Sequence, residues 1–420
     1  MATAVVIVLR TTDDVLRWAG RLVDPPLRTA IGRLPEPSRA VAELQLGWHL
    51  GDDVPAASLR SALTLVCADA VGGDPHDAVP GAVAVELMHH WSAIRRDLVE
   101  EHADGTAWSV VGPEPASLGG EALLALAYDV IATGDPTHTH PTPRTGTGIE
   151  TAGLSSAAAG DEDASASRDS RATPTALGAP TPDALGSSTP RAGRRATADD
   201  AFGMLPSRAK GGAAGLRQRS GQAGPDRAML RILGDTVQEL LHGQHASLAL
   251  RRGSTAGEER TDLLRDCLAM VEQRTGALFG CACALGAVAG GGDPAQVERL
   301  RLFGVRLGLA VQFTEDLIGI WGEGGRADLR RRRRSLPVAA AVAAGADELT
   351  ALFAGHGRLS DTDVERAAKT IEQSGALDWC RRQADELLSQ ALLALDLASP
   401  SPAAVAELVA LARRATATPR

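Results

Sequence analysis

Three groups of charged residues in this chain are dense enough to do chemistry. In "IRRDLVEEH", Asp97 and Glu100 stand one helical turn apart, so a helix there presents two oxygen-bearing side chains on one face. A second acidic pair, Glu315 and Asp316, interrupts the largely apolar stretch "LAVQFTEDLIGIW". Five successive arginines, Arg330 to Arg334, form the strongest charge run, which is ordinarily a solvated face and is also able to attract phosphate. The cysteines offer less. Cys67, Cys267, Cys281, Cys283 and Cys380 show no C-x-x-C spacing, and Cys281 and Cys283 project to different sides of any helix. No cysteine metal site and no disulfide framework are therefore expected.

The elements that must carry these groups are helical. Apolar residues recur at helical spacing from about residue 11 to 134, as in Leu59, Leu63, Val66 and Ala70, or Ala82, Val85, Leu87 and Met88. The pattern stops at Gly134 and returns at Ala228, continuing through "RAMLRILGDTVQELLHGQHASLAL" and "DELLSQALLALDL". The intervening stretch is built from Ala, Gly, Ser, Thr and Pro. It buries too little apolar surface to offset its chain entropy, and at roughly 90 residues it exceeds any ordinary loop. We expect residues 1–134 and 227–420 to form two halves of one bundle, with 135–226 as a disordered insertion. An isolated "FGML" at Phe202 to Leu205 within it reads as a short hydrophobic accident or a docking motif.

Composition narrows the class. Of 420 residues, 44% are hydrophobic but only 3% aromatic, a balance that favours helix over sheet. A net charge of −9 argues against a general nucleic-acid binder. The apolar start, Ala4 to Leu9, is too short to span a membrane and lacks the basic region and cleavage site of a secretory signal. A cytoplasmic protein with no membrane span is expected.

Five short stretches, in order, resemble motifs of the polyprenyl synthetase (trans-isoprenyl diphosphate synthase) family. "AVAVELMHHWSAIRRDLVEEH" is similar to the family helix E-L-x-H-x-x-S-x-x-H-D-D-x-x-D, with Glu86, Leu87, His89 and Ser92 matching and the acidic motif falling on Arg96 to Glu100. "LAVQFTEDLIGIWGE" resembles F-Q-x-x-D-D-L-L-G through Gln312, Glu315, Asp316, Leu317 and Gly319. "EQRTGALFG" is similar to K-T-G-A-L-F, with Arg274 for lysine and Thr275 kept. "HGQHASLAL" resembles G-Q-x-x-D-L with Ser247 for aspartate, and "PAASLRSAL" resembles G-G-K-x-L-R-P with Leu59 and Arg60 kept.

The resemblance implies an all-α, isoprenoid-synthase-type helical bundle around a central cavity, interrupted by the insertion. It implies Mg²⁺ held by Asp97, Glu100, Glu315 and Asp316, bridging to a diphosphate that leaves from an allylic carbon. Arg60, His89, Arg96, Arg274, Thr275, Gln312 and Arg333 are then the expected substrate contacts. Asp328, Leu329, Arg333 and Arg334 fall near a family D-L and basic pair. Trp91 and Ile94 occupy the place where bulky residues normally limit chain length.

This sequence departs from the pattern where it matters most. Arg96 replaces the leading aspartate and Arg95 the preceding histidine, while Ala57 replaces a lysine. The arginine pair expected after the first motif is missing. Arg96 itself has the planar fork to bind diphosphate in place of a metal. Three functions fit: a prenyltransferase joining an allylic diphosphate to isopentenyl diphosphate; a terpene-synthase-like enzyme acting on one allylic diphosphate; or a non-catalytic subunit of a heteromeric synthase. A homodimer, or a heterodimer with an active synthase, is implied.

Overall fold

The structure, a computed structural model, describes residues 10–50, 58–100, 106–134, 224–252, 260–322, 326–355 and 357–417. The apolar start, the Ala57 position, the residues just past Glu100, and the insertion with its Phe202–Leu205 segment lie outside these. Sixteen α-helices and no strand are present among the described residues.

The first half supplies α1 (Thr12–Gly32), α2 (Glu36–Gln45), α3 (Leu59–Ala70), α4 (Val79–Val99), α5 (Ala107–Val111) and α6 (Pro113–Thr133). The second supplies α7 (Pro225–Arg252), α8 (Arg260–Val271), α9 (Ala277–Ala289), α10 (Pro294–Trp321), α11 (Ala327–Arg330) and α12 (Leu336–Ala343). It ends with α13 (Asp347–Phe353), α14 (Asp361–Gln373), α15 (Ala376–Leu397) and α16 (Pro402–Ala415).

Local chemistry sets several of these boundaries. Thr11 and Asp14 form a reciprocal capping box at α1, and Asp293 and Gln296 form another at α10, where Pro294 opens the helix. Periodicity then decides depth. α1 buries one stripe, Val15, Ala19, Val23 and Leu27, whereas α9 is buried almost all round and α4 along most of its length. Those two are central helices.

Helices from both sides of the insertion pack on one another in one compact unit: α9 lies against α3, α4, α7 and α10, and α10 against α15. The approach is close enough that a Cβ on Gly286 would occupy the space of the Thr64 carbonyl oxygen of α3. Gly304 of α10 stands in the same relation to Phe279 of α9. Glycine is needed there for backbone proximity.

Two apolar cores result. One gathers residues from α1, α3, α4, α6, α9, α10 and α16 around Leu63, Leu87, Trp91 and Phe303; the other gathers α8, another part of α10, and α12 to α15 around Phe313, Leu336 and Trp379. Among the described residues one helix, α6, is long and apolar enough to cross a membrane by length and composition. It packs on α2 and α4 and buries Leu123, Ala127, Val130 and Ile131 among others.

Candidate functional site

The site begins at the point where α8 runs into α9. Residues Glu272–Gly276 widen into a single π-turn, a local defect that recurs at functional sites. It sets Arg274 and Thr275 side by side on the wall of a cavity of about 430 Å³. Glu100 and Ser247 line the same cavity, together with Gln312 and Asp316 from α10 and Arg331 to Leu336 from the α11–α12 connection.

The two acidic segments meet here through arginines. Glu100 Oε1 accepts from Arg274 Nη1 at 3.2 Å and from Ser247 Oγ at 3.1 Å. Burial lowers the Arg274 pKa to about 10 against the pull of Glu100, so the guanidinium stays charged at neutral pH. Asp316 is 2% exposed and fully engaged. Its Oδ1 accepts from Gln312 Nε2 at 2.9 Å, and its Oδ2 accepts from the Leu336 N–H at the start of α12, also at 2.9 Å. Thr275 Oγ1 donates to Gln312 Oε1 at 2.7 Å, which fixes the amide that serves Asp316.

Arg333 joins the system. It lies 3.1 Å from Asp328 and 3.8 Å from Asp316, and it also feels Glu100 and Glu315. Burial opposes its charge, but these carboxylates raise its pKa above the ordinary arginine value. Burial also raises the Asp316 carboxyl pKa, with Arg333 and the two hydrogen bonds pulling it down.

The other expected residues sit around this centre. Asp97 is buried and bonded to Arg96 Nε at 3.1 Å, and neither lines the cavity. Glu315 is exposed; the guanidiniums that reach it are those of Arg333, Arg60 and Arg96. Arg60 pairs at 3.7 Å with Glu86. Glu86 itself is buried as a cap for α3, accepting from Ser58 Oγ and from the Ser61 N–H. His89 is held well below its usual pKa by burial first and then by Arg60, His90 and Arg96, so its ring is neutral. Trp91 and Ile94 are buried in the first core and do not line the cavity.

Several participants were not expected as site residues. Ser335, Arg358 and Cys267 line the cavity, and Ser247, noted only as standing for a motif aspartate, bonds Glu100. A serine just before Leu-Pro is a helix-start signal, and that signal pointed at Ser335. Arg358 gave none. Of the arginine run, Arg331 to Arg334 line the cavity, while Arg330 turns outward to pair with Asp361 at 2.9 Å.

Among the described residues no three His, Cys, Asp or Glu side chains gather to hold a metal. Asp97, Glu100 and Asp316 are instead bonded to arginine, serine or amide donors. These residues do not fit a carboxylate cage around a divalent cation.

Comparison with known proteins agrees with the architecture. Residues 214–372 match the polyprenyl synthetase family. The chain is 29% identical over 405 residues to (2E,6E)-farnesyl diphosphate synthase of Mycobacterium tuberculosis, covering 91% of this chain and 87% of that protein. It is also 29% identical over 408 residues to geranylgeranyl diphosphate synthase of the same organism, covering 93% and 90%. The crystal structure of a polyprenyl synthetase from Streptomyces coelicolor A3(2) superposes with a TM-score of 0.69 at 26% identity, covering 97% of this chain and 100% of that one. In its all-helical architecture and over these matches, the chain is similar to polyprenyl synthetases.

Proposed function

We propose that this protein is a prenyltransferase of the isoprenyl diphosphate synthase kind, which ionises an allylic diphosphate and condenses the fragment with isopentenyl diphosphate. One observation carries the reading: Glu100 and Asp316, from segments far apart in sequence, line one cavity walled by arginines. When the allylic C–O bond breaks, its electron pair leaves on the diphosphate. The charge developing there is what preorganised cations stabilise most. Arg274 and Arg333 are held in place by Glu100, Asp316 and Asp328, so they need no reorganisation as that charge grows.

Magnesium dependence is general to the family. The described carboxylates, already bonded to arginine, serine, amide or backbone donors, do not fit the ion. Work in the cytoplasm on allylic and homoallylic diphosphates, as a dimer, belongs to this proposal.

A second reading has its own support. Arg60, kept from the G-G-K-x-L-R-P stretch whose lysine is lost and expected to contact substrate, is engaged with buried Glu86 and does not line the cavity. That favours a terpene-synthase-like enzyme needing only one diphosphate. Purified protein given farnesyl or geranylgeranyl diphosphate, with and without isopentenyl diphosphate, separates the two. Longer prenyl diphosphates support the first reading; hydrocarbons formed without isopentenyl diphosphate support the second. No product under either condition, with activity appearing only beside an active homologue, would leave a subunit role.

A further inference from the structure

Among the described residues, the cavity wall is strongly basic. Arg274, Arg358 and the four arginines from 331 to 334 line it, against the two carboxylates of Glu100 and Asp316. Both carboxylates already accept two hydrogen bonds each. Among the described residues, guanidiniums thus outnumber carboxylates on the cavity wall.

The arginine run is also held in shape. Arg332 adopts a left-handed backbone, φ 54°, which a non-glycine residue holds only when its surroundings impose it. Its guanidinium donates to the carbonyl of Leu352 and, at 2.9 Å, to that of Gly357. Those bonds tie the connection carrying Arg331, Arg333 and Arg334 to the segment carrying Arg358. A further observation stands apart from charge. Ser335 is 4% exposed and lines the cavity, and its Oγ has no hydrogen-bond partner among the described residues. A buried hydroxyl left unbonded is costly, and an oxyanion in the cavity would satisfy it.

We infer that this cavity binds a diphosphate directly, through a fixed array of guanidiniums and the Ser335 hydroxyl, without a divalent metal. Guanidinium forks match phosphate oxygens two at a time, which supplies both charge and orientation. The inference rests on the proposed function for the identity of the ligand as a prenyl diphosphate. The chemistry it names, a diphosphate group, is shared with inorganic pyrophosphate.

The test is titration calorimetry on the full chain, using inorganic pyrophosphate in EDTA and again in Mg²⁺. The two affinities should agree within about threefold, since fixed cations replace the ion. Arg358→Ala and Ser335→Ala should each weaken binding roughly tenfold, the loss of one charged or buried hydrogen bond, with helicity by circular dichroism unchanged. Binding only in Mg²⁺, or sulfate binding as tightly as pyrophosphate, would overturn the inference. Farnesyl diphosphate in EDTA is the separating arm. If it binds no tighter than pyrophosphate, the prenyl reading fails and the metal-free site stands. If it binds well but only with Mg²⁺, the metal-free site fails and the prenyl reading stands.

Discussion

The Asp328 carboxylate fills the space in which Gly319 would carry a side chain: a Cβ on Gly319 would lie 2.5 Å from Asp328 Oδ2. Position 319 is one turn beyond Glu315 on α10. The acidic group beside the second motif thus comes from α11, and Arg333 binds it there. Placing aspartate at 319 should force two carboxylates together and displace Asp328. Gly319→Asp is expected to cost about 1–3 kcal/mol, the range for overpacking, as read by urea denaturation. Adding Asp328→Gly should recover most of that loss. An additive double mutant would show that the two positions do not share the space.

Arg274 and Glu100 form a partly buried pair, with side chains 15% and 11% exposed. Arg274→Met should remove the Arg274 hydrogen bond to Glu100 and destabilise the protein by about 2 kcal/mol, below the loss for a fully buried pair because the Ser247 bond remains. Glu100→Gln in the same background should restore part of it. Thermal melts of the four proteins check both steps.

Arg332 combines a left-handed backbone with two bonds to carbonyls. Arg332→Ala keeps the strain and loses the bonds, whereas Arg332→Gly loses the bonds and relieves the strain. The alanine variant should be less stable than the glycine variant by about 1 kcal/mol. In both, amide exchange near residues 353–358 should quicken. Unchanged exchange there would show that Arg332 does not brace that segment.

The pH dependence has a definite sign. Burial brings His90 from 6.5 down to about 4, and His89 is lowered as well. The unfolded chain takes up protons on these rings first as pH falls, so their contribution to stability is intact above pH 6.5 and is lost between there and about 4. His90→Gln should flatten the stability profile in that window. A wild-type profile that is level from 6.5 to 4 would contradict a neutral buried ring.

All five cysteines are buried, and burial pushes Cys267 and Cys281 up to about 12. Iodoacetamide at mildly alkaline pH should leave the native protein unmodified and label every thiol in denaturant. Mass spectrometry reads the difference directly.

How much of this was visible in the residues depends on what each signal reports. The helices of α1, α4 and α10 were legible because apolar spacing and caps are local properties. The meeting of "VEE" with "TED" was legible only through family resemblance, since nothing within either segment names its partner. Arg274 and Thr275, expected as substrate contacts, do line the cavity, but the π-turn that presents both together has no residue signature. Glu86 shows the opposite failure. Its match to a family motif is real, yet its carboxylate caps α3 and does not line the cavity. Arg358 could not be found at all, because a lone exposed arginine becomes informative only once the cavity beside it is known.

The contact of Gly286 with Thr64 has a consequence for how the molecule could be made. Helices encoded before residue 134 and after residue 224 mesh backbone to backbone, so the covalent link between them is not what holds α3 to α9. Two polypeptides produced apart, each baring an apolar face, would be drawn to reassemble by complementation into a single working enzyme.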